Sequence, residues 1–237
     1  MSGQPGPDTL VLTQPEVRRL LPMRACMDLL AEAFRSLGRG EGINPLRSAI
    51  RLPGERGVLG LMPGMSGSPE ALGLKVVTVF PGNHGTPYDA HQGLVVLFDT
   101  EFGLPTAILD ASEVTSIRTA AASGVATELL AREDSMDLAI IGSGVQARTH
   151  LEAMIEARPI QRVRVYSPTE ANRNAFADME SARQGVPVEP VDSAEEASRG
   201  ADIICTVTSS REPVLKGEWI SPGTHINAAG SSVKSTR

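Results

Sequence analysis

The chain has 237 residues, a formal charge of -6 and 41% hydrophobic residues. This suits a globular protein with a sizeable core and room for two domains, and the acidic balance argues against nucleic-acid or anionic-membrane partners. No apolar run approaches the roughly 20 residues of a membrane-spanning helix, Cys26 and Cys205 form no CxxC pair, and the four histidines show no metal-ligand spacing.

The polar Met1–Asp8 segment lacks the apolar stretch of a signal peptide, so a cytoplasmic protein is expected. Thr9–Leu12 is a short apolar run, and Thr13-Gln-Pro-Glu16 has the pattern of a capping box that opens a helix. Pro22 restarts it, and Met23, Met27, Leu30, Phe34 and Leu37 recur at helical spacing as a core stripe. After Gly42, short apolar segments alternate with Gly and Pro: Leu46–Leu52, Val58–Met62, Leu72–Phe80, Leu94–Phe98 and Pro105–Leu109. That is a sheet of its own. Ser112–Arg132, Ala-rich and free of Pro, predicts a long helix.

Leu138-Ala-Ile-Ile-Gly-Ser-Gly-Val-Gln-Ala147 then reads as strand, phosphate turn and helix. Gly142 permits a tight turn, Gly144 lets backbone N–H groups approach a pyrophosphate, and Ala147 stands where the dinucleotide fingerprint accepts Gly or Ala. Beyond it, strands at 162–166, 186–191, 201–207 and 224–229 alternate with helices at 170–183 and 194–199. The fold class is therefore α/β: a doubly wound parallel Rossmann sheet over residues 133–237, preceded by a mixed α+β domain over residues 1–132. Because the chain stops just after a strand, a further C-terminal part is expected.

The end of the second strand, Tyr166-Ser-Pro-Thr169, lacks the acid that would accept from a ribose 2′-hydroxyl. Ser167, Thr169 and Arg173 would serve a 2′-phosphate, which puts NADPH ahead of NADH, although Arg173 also reads as a solvated helix charge. Lys75 shares a strand face with Val77 and Val79, which favours a site over solvent. Arg118 sits in the least polar part of its helix, and Arg47 opens an apolar strand. Two arginines and a lysine suit a small carboxylate; each also reads as an ordinary surface charge.

Several stretches together resemble the ornithine cyclodeaminase/mu-crystallin family, closer to its ketimine-reductase branch. They are Lys75–Phe80, Ile117–Ala122, Ile141–Ala147, Asp202–Thr208 and Gly217–Gly230. The resemblance implies a homodimeric, two-domain NAD(P)H-dependent oxidoreductase that reduces a small cyclic ketimine carboxylate such as pyrroline-2-carboxylate or piperideine-2-carboxylate. It implies that Arg47, Lys75 and Arg118 hold the carboxylate, with Lys75 also able to relay a proton. Cofactor contacts fall on Gly142, Gly144, Val145 and Gln146, on Ser167, Thr169 and Arg173, and on Val207 and Thr208. Ser232 stands where ornithine cyclodeaminases carry an Asp, which disfavours ornithine as substrate. Pro168 stands where the NADPH-using branch carries an Arg. The alternatives are an alanine-dehydrogenase-like enzyme or another amino-acid oxidoreductase or deaminase of the family, and a mu-crystallin-like binder without turnover.

Overall fold

The computed structural model describes residues 8–83 and 85–230. Backbone contacts divide the chain into two units, Met1–Thr115 and Ser116–Arg237.

The first unit is built on a six-stranded mixed sheet. Its strands are β1 (Leu10–Leu12), β2 (Ser48–Arg51), β3 (Val58–Gly67), β4 (Glu70–Val79), β5 (His91–Phe98) and β6 (Pro105–Asp110), in the order β1-β6-β5-β4-β3-β2. β2 to β6 form an antiparallel meander, and β1 joins β6 in parallel. Two helices lie between β1 and β2: α1 (Gln14–Leu20) and α2 (Met23–Gly38). The capping box at the start of α1 is present. The Glu16 carboxylate accepts from the Thr13 hydroxyl at 2.6 Å and its amide at 2.8 Å, which holds Glu16 below the usual carboxylate range. Val17, Met23, Cys26 and Met27 are buried along these helices, whereas Phe34 and Leu37 of the expected core stripe are exposed at 48% and 43%.

Register sorts the sheet's side chains by face. Val11 pairs with Ile108, Ile108 with Val96, Val96 with Leu74, and in the adjacent rows Leu94 pairs with Val76 and Ile50 with Leu59. This face is apolar and, among the described residues, only partly covered: Val11 is 70%, Ile50 58% and Leu94 50% exposed. The opposite face carries Lys75, Val77 and Val79.

The long predicted helix is α3 (Ala111–Leu130), and the contact division falls inside it, whereas the sequence reading draws the boundary after it. Its later turns belong to the second unit because they pack there: Ala120, Ala121, Val125 and Thr127 are buried, and the Thr127 hydroxyl contacts the Met154 sulfur at 3.3 Å.

The second unit is a five-stranded, all-parallel sheet of β7 (Asp137–Ile141), β8 (Arg162–Tyr166), β9 (Val188–Pro190), β10 (Ile203–Thr206) and β11 (His225–Ala228). The order β11-β10-β7-β8-β9 is the doubly wound one expected, with its reversal between β7 and β10. The connections carry α4 (Val145–Ala157), α5 (Glu170–Gln184) and α6 (Ala194–Ser198). Leu138 to Ile141 and Ile203 to Cys205 are all buried, as strands covered on both faces must be. No described helix is long and apolar enough to cross a membrane.

Many of the buried polar groups in this unit are paired, although Arg164 Nε and the Gln146 side-chain oxygen have no hydrogen-bond partner among the described residues. Arg164 on β8 donates to Asp137 at 2.6 Å and to the carbonyls of Glu196 and Arg199 at 2.8 and 2.7 Å, tying the end of α6 to the sheet. Asn227 on β11 donates to the Thr127 hydroxyl at 2.9 Å. His150 on α4 places Nδ1 2.8 Å from the Gln146 carbonyl, so that nitrogen carries the proton, and Nε2 accepts from Ser123 at 3.1 Å. Burial pushes its pKa down to about 4.

The unfolded chain therefore takes up this proton at the ordinary histidine pKa while the folded chain refuses it. Stability should fall as pH drops from about 6.5 toward 4, at no more than about 1.4 kcal/mol per pH unit for this one proton. Thermal melts between pH 7 and 5 should show a shallower fall for His150→Gln than for the parent. An unchanged slope would remove His150 from the pH dependence.

Candidate functional site

β7 ends at Ile141 and the chain turns at Gly142, whose φ is +127° and whose amide donates to the Tyr166 carbonyl at 2.8 Å. A Cβ there would lie 2.7 Å from the Val207 carbonyl oxygen, so this position admits glycine alone. Gly144, the N-cap of α4, is different: its φ of -90° is ordinary, and a Cβ would meet no heavy atom within 4 Å. It therefore opens onto space beside the unpaired amides of the helix's first turn, an arrangement that attracts anions. Ala147 is fully buried against the sheet. In the same first turn, the Gln146 side-chain oxygen is buried without a hydrogen-bond partner among the described residues.

A cleft of about 680 Å³ lies over this turn. Gly142 and Gly144 line it from β7, Ser167 and Thr169 from the end of β8, and Val207 and Thr208 from the end of β10. These six expected cofactor residues are thus brought together. Val145 and Gln146 continue into α4, while Arg173 stands outside the lining. The sequence reading did not single out Tyr166, Asn172, Glu195 or Trp219, which also line the cleft. The stretch Gly217-Glu-Trp219 within the family motif was the available signal for the last.

The adenosine end differs in detail from expectation. The Ser167 hydroxyl accepts from Ser143 at 3.0 Å and lies 3.4 Å from the Thr169 carbonyl, so it is engaged locally. Arg173 is not a solvated helix charge. Its side chain is 11% exposed, with Nη2 2.5 Å from an Asp192 carboxylate oxygen and Nη1 3.4 Å from the Ser167 carbonyl. Nor is Cys205 a reactive thiol, because complete burial pushes its pKa up to about 12.

The substrate candidates lie elsewhere. Lys75 on β4 donates from Nζ to the Thr115 hydroxyl at 2.7 Å. Arg118 stands three residues further along α3, one turn on from Thr115, and is exposed. Arg47 stands one residue before β2, whose pairing with β3 ends at Ser48 and Leu61. Ser232 lies outside the described residues.

Residues 7–237 match the ornithine cyclodeaminase/mu-crystallin family. The chain belongs to that family. It is 42% identical over 193 residues to the ketimine reductase mu-crystallin of Mus musculus, covering 81% of this chain and 60% of the mouse protein's length. Among solved structures it is similar to the Delta(1)-pyrroline-2-carboxylate reductase of Thermococcus litoralis in complex with NADH and L-proline. There the identity is 39% and the TM-score 0.89, covering 94% of this chain and 69% of that one. It is also similar to an archaeal alanine dehydrogenase dimer with bound NAD, with 38% identity and a TM-score of 0.86, covering 93% and 67%.

The two glycines should separate on substitution. Gly144→Ala should melt close to the parent yet bind NADH or NADPH about tenfold or more weakly, because its methyl group enters the space that a pyrophosphate needs. Gly142→Ala should lose about 1–3 kcal/mol of stability from backbone strain and the clash with Val207. Titration and thermal melts of both variants would test this, and equal stability losses would contradict the assignment.

Proposed function

We propose that this chain is an NAD(P)H-dependent oxidoreductase that reduces the C=N bond of a small cyclic ketimine carboxylate of the pyrroline-2-carboxylate or piperideine-2-carboxylate type. The observation that carries the reading is the turn at Gly142 and Gly144 in the second unit, with the cleft that these two, Ser167, Thr169, Val207 and Thr208 line. In the first unit Lys75 on β4 donates to the Thr115 hydroxyl. Names among the relatives, a ketimine reductase and a pyrroline-2-carboxylate reductase holding NADH and L-proline, support it.

The turn at Gly142, the open Gly144 and the first turn of α4 fit the pyrophosphate of a dinucleotide, whose nicotinamide supplies a hydride to the imine carbon when bound. Arg47 and Arg118 bind the substrate carboxylate, and orienting the ring in this way makes transfer effectively unimolecular. Lys75 either shares that carboxylate or delivers the proton that the ring nitrogen gains as the carbon gains its hydride. Ser232 is a serine where ornithine cyclodeaminases carry a carboxylate, which argues against ring closure of ornithine. No acid stands at the end of β8, which admits the adenosine half of NADPH as well as that of NADH.

The second reading, amino-acid dehydrogenation, is favoured by the similarity to alanine dehydrogenase. A homodimer joined through the open apolar face of the first sheet completes the proposal, and Val11, Ile50 and Leu94 are the side chains it would cover. Two buried free thiols suit a cytoplasmic setting.

Initial rates of NADH and NADPH oxidation with piperideine-2-carboxylate should show turnover, with none from ornithine plus NAD. Arg118→Met should lower kcat/KM by about two orders of magnitude, the loss expected for removing one charged partner worth about 3 kcal/mol. Lys75→Arg keeps the charge but not a transferable proton, so a lost kcat with retained KM would make Lys75 the proton donor. Ammonia-dependent reduction of pyruvate without imine turnover would select the dehydrogenase; tight cofactor binding without any turnover would select a binder. In sedimentation, Leu94→Glu should convert a dimer to a monomer, and an unaltered dimer would exclude that face.

A further inference from the structure

We propose that Asp192 sets the cofactor preference of the cleft by holding the Arg173 guanidinium, which makes NADH the preferred dinucleotide. The inference rests on the dinucleotide reading of the cleft and deepens it.

The adenosine end of the cleft is formed by Ser167, Pro168, Thr169 and Asn172 on one side and by Ser193 and Glu195 on the other. A 2′-phosphate placed there would need a cation, and the turn Tyr166-Ser-Pro-Thr169 supplies none. Arg173, in the first turn of α5, is the guanidinium next to it, but both ends of its fork are committed, one to Asp192 and one to the Ser167 carbonyl. The Arg173 side chain is largely buried while the Asp192 carboxylate is exposed, so the pair chiefly fixes the direction of the guanidinium fork.

Asp192 is fixed by its backbone although its carboxylate is 88% exposed. It follows Val191, which is buried at the end of β9, and its amide donates to a Glu196 carboxylate oxygen at 3.1 Å. Ser193 then caps α6 through the Glu196 amide at 3.0 Å. Glu195 is itself paired with Arg199 at 2.6 Å. Glu195 lines the cleft and Asp192 and Glu196 flank it in sequence, and the two guanidiniums that meet these carboxylates, Arg173 on Asp192 and Arg199 on Glu195, are both already paired. A phosphate carrying nearly two negative charges would have to take Arg173 from Asp192 and leave that carboxylate beside it, whereas a ribose with a free 2′-hydroxyl meets no such cost.

Asp192 therefore acts through Arg173, and its test is a change of preference. Trp219 is the protein's sole tryptophan and lines the cleft, so its fluorescence reports equilibrium binding directly. Titrated with NADH and with NADPH, the parent should bind NADH about tenfold or more tightly. Asp192→Asn should raise the NADPH-to-NADH affinity ratio by about tenfold, and the double variant Asp192→Asn with Arg173→Gln should return it to the parent value. Asp192→Glu, which keeps the charge, should retain the parent ratio. A parent that binds NADPH more tightly, an unchanged ratio in Asp192→Asn, or a shift that survives loss of Arg173 would each overturn the inference while leaving the cleft a dinucleotide site. Failure of both cofactors to bind the parent would overturn the inference and the dinucleotide reading together.

Discussion

The second unit depends on one close approach, that of Gly142 to the Val207 carbonyl. β7 and β10 are neighbours in the sheet, and at their C-terminal ends the connections leave in opposite directions: β7 runs into α4 toward β8, and the chain beyond β10 returns toward β11. The two backbones must pass each other within a space that a methyl group would close. A glycine at φ +127° meets both demands, conformation and clearance, at once. From that turn follow the start of α4 beside the cleft at Gly144 and the tight seating of the helix on the sheet through Ala147.

Holding this arrangement requires that the polar groups it buries find partners, since a buried unpaired donor or acceptor costs about 1–3 kcal/mol. Arginines do much of this by capping carbonyl ends. Arg158 donates to the carbonyls of Glu128, Ala131 and Arg132 and so closes the end of α3, just as Arg164 closes α6. Asp202 accepts the amides of Met136 and Asp137 at 2.9 and 3.0 Å at the entry to β7, with Arg132 as its ion pair. Asn227, inside the family stretch Gly217–Gly230, has a structural part here: it joins β11 to α3 through Thr127. Such a motif residue is read easily as cofactor chemistry from sequence, yet its amide is spent within the fold.

Legibility in the sequence followed how local each determinant is. The strand, glycine turn and helix at 138–157 and the capping box at Thr13 are set by residues a few positions apart, and both were readable. The end of β3 was not. Pro63 and Gly64 suggested a stop at Met62, but the strand runs to Gly67. β2 flanks β3 only from Val58 to Leu61, and past that point only the bridge between Ile43 and Met65 remains on that side. Pro63 therefore sits where a missing N–H costs little of the ladder. Arg162 and Arg164 posed the same difficulty in another form, since they alternate identically along β8. One is exposed and pairs with Glu189, whereas the other is buried under α6, a contact 32 residues away in sequence. The pairing of Arg173 with Asp192 spans 19 residues and is invisible to spacing for the same reason.

Arg47, Lys75 and Arg118 were each legible as single charges in or beside apolar segments, and for Lys75 the sheet supplies the reason. Lys75 interrupts an apolar strand, and alternation alone puts it on the face of Val77. Its ammonium must then be satisfied on that side of the sheet, and Thr115, itself donating to the Ala111 carbonyl at 2.6 Å, turns its oxygen to it. A slip of one residue between β3 and β4 would turn the strand's apolar set to the other face. The ten-residue pairing of β3 with β4, extended past Pro63 to Gly67, resists such a slip. The unread half of β3 thus helps hold Lys75 on the face where the Thr115 hydroxyl meets it.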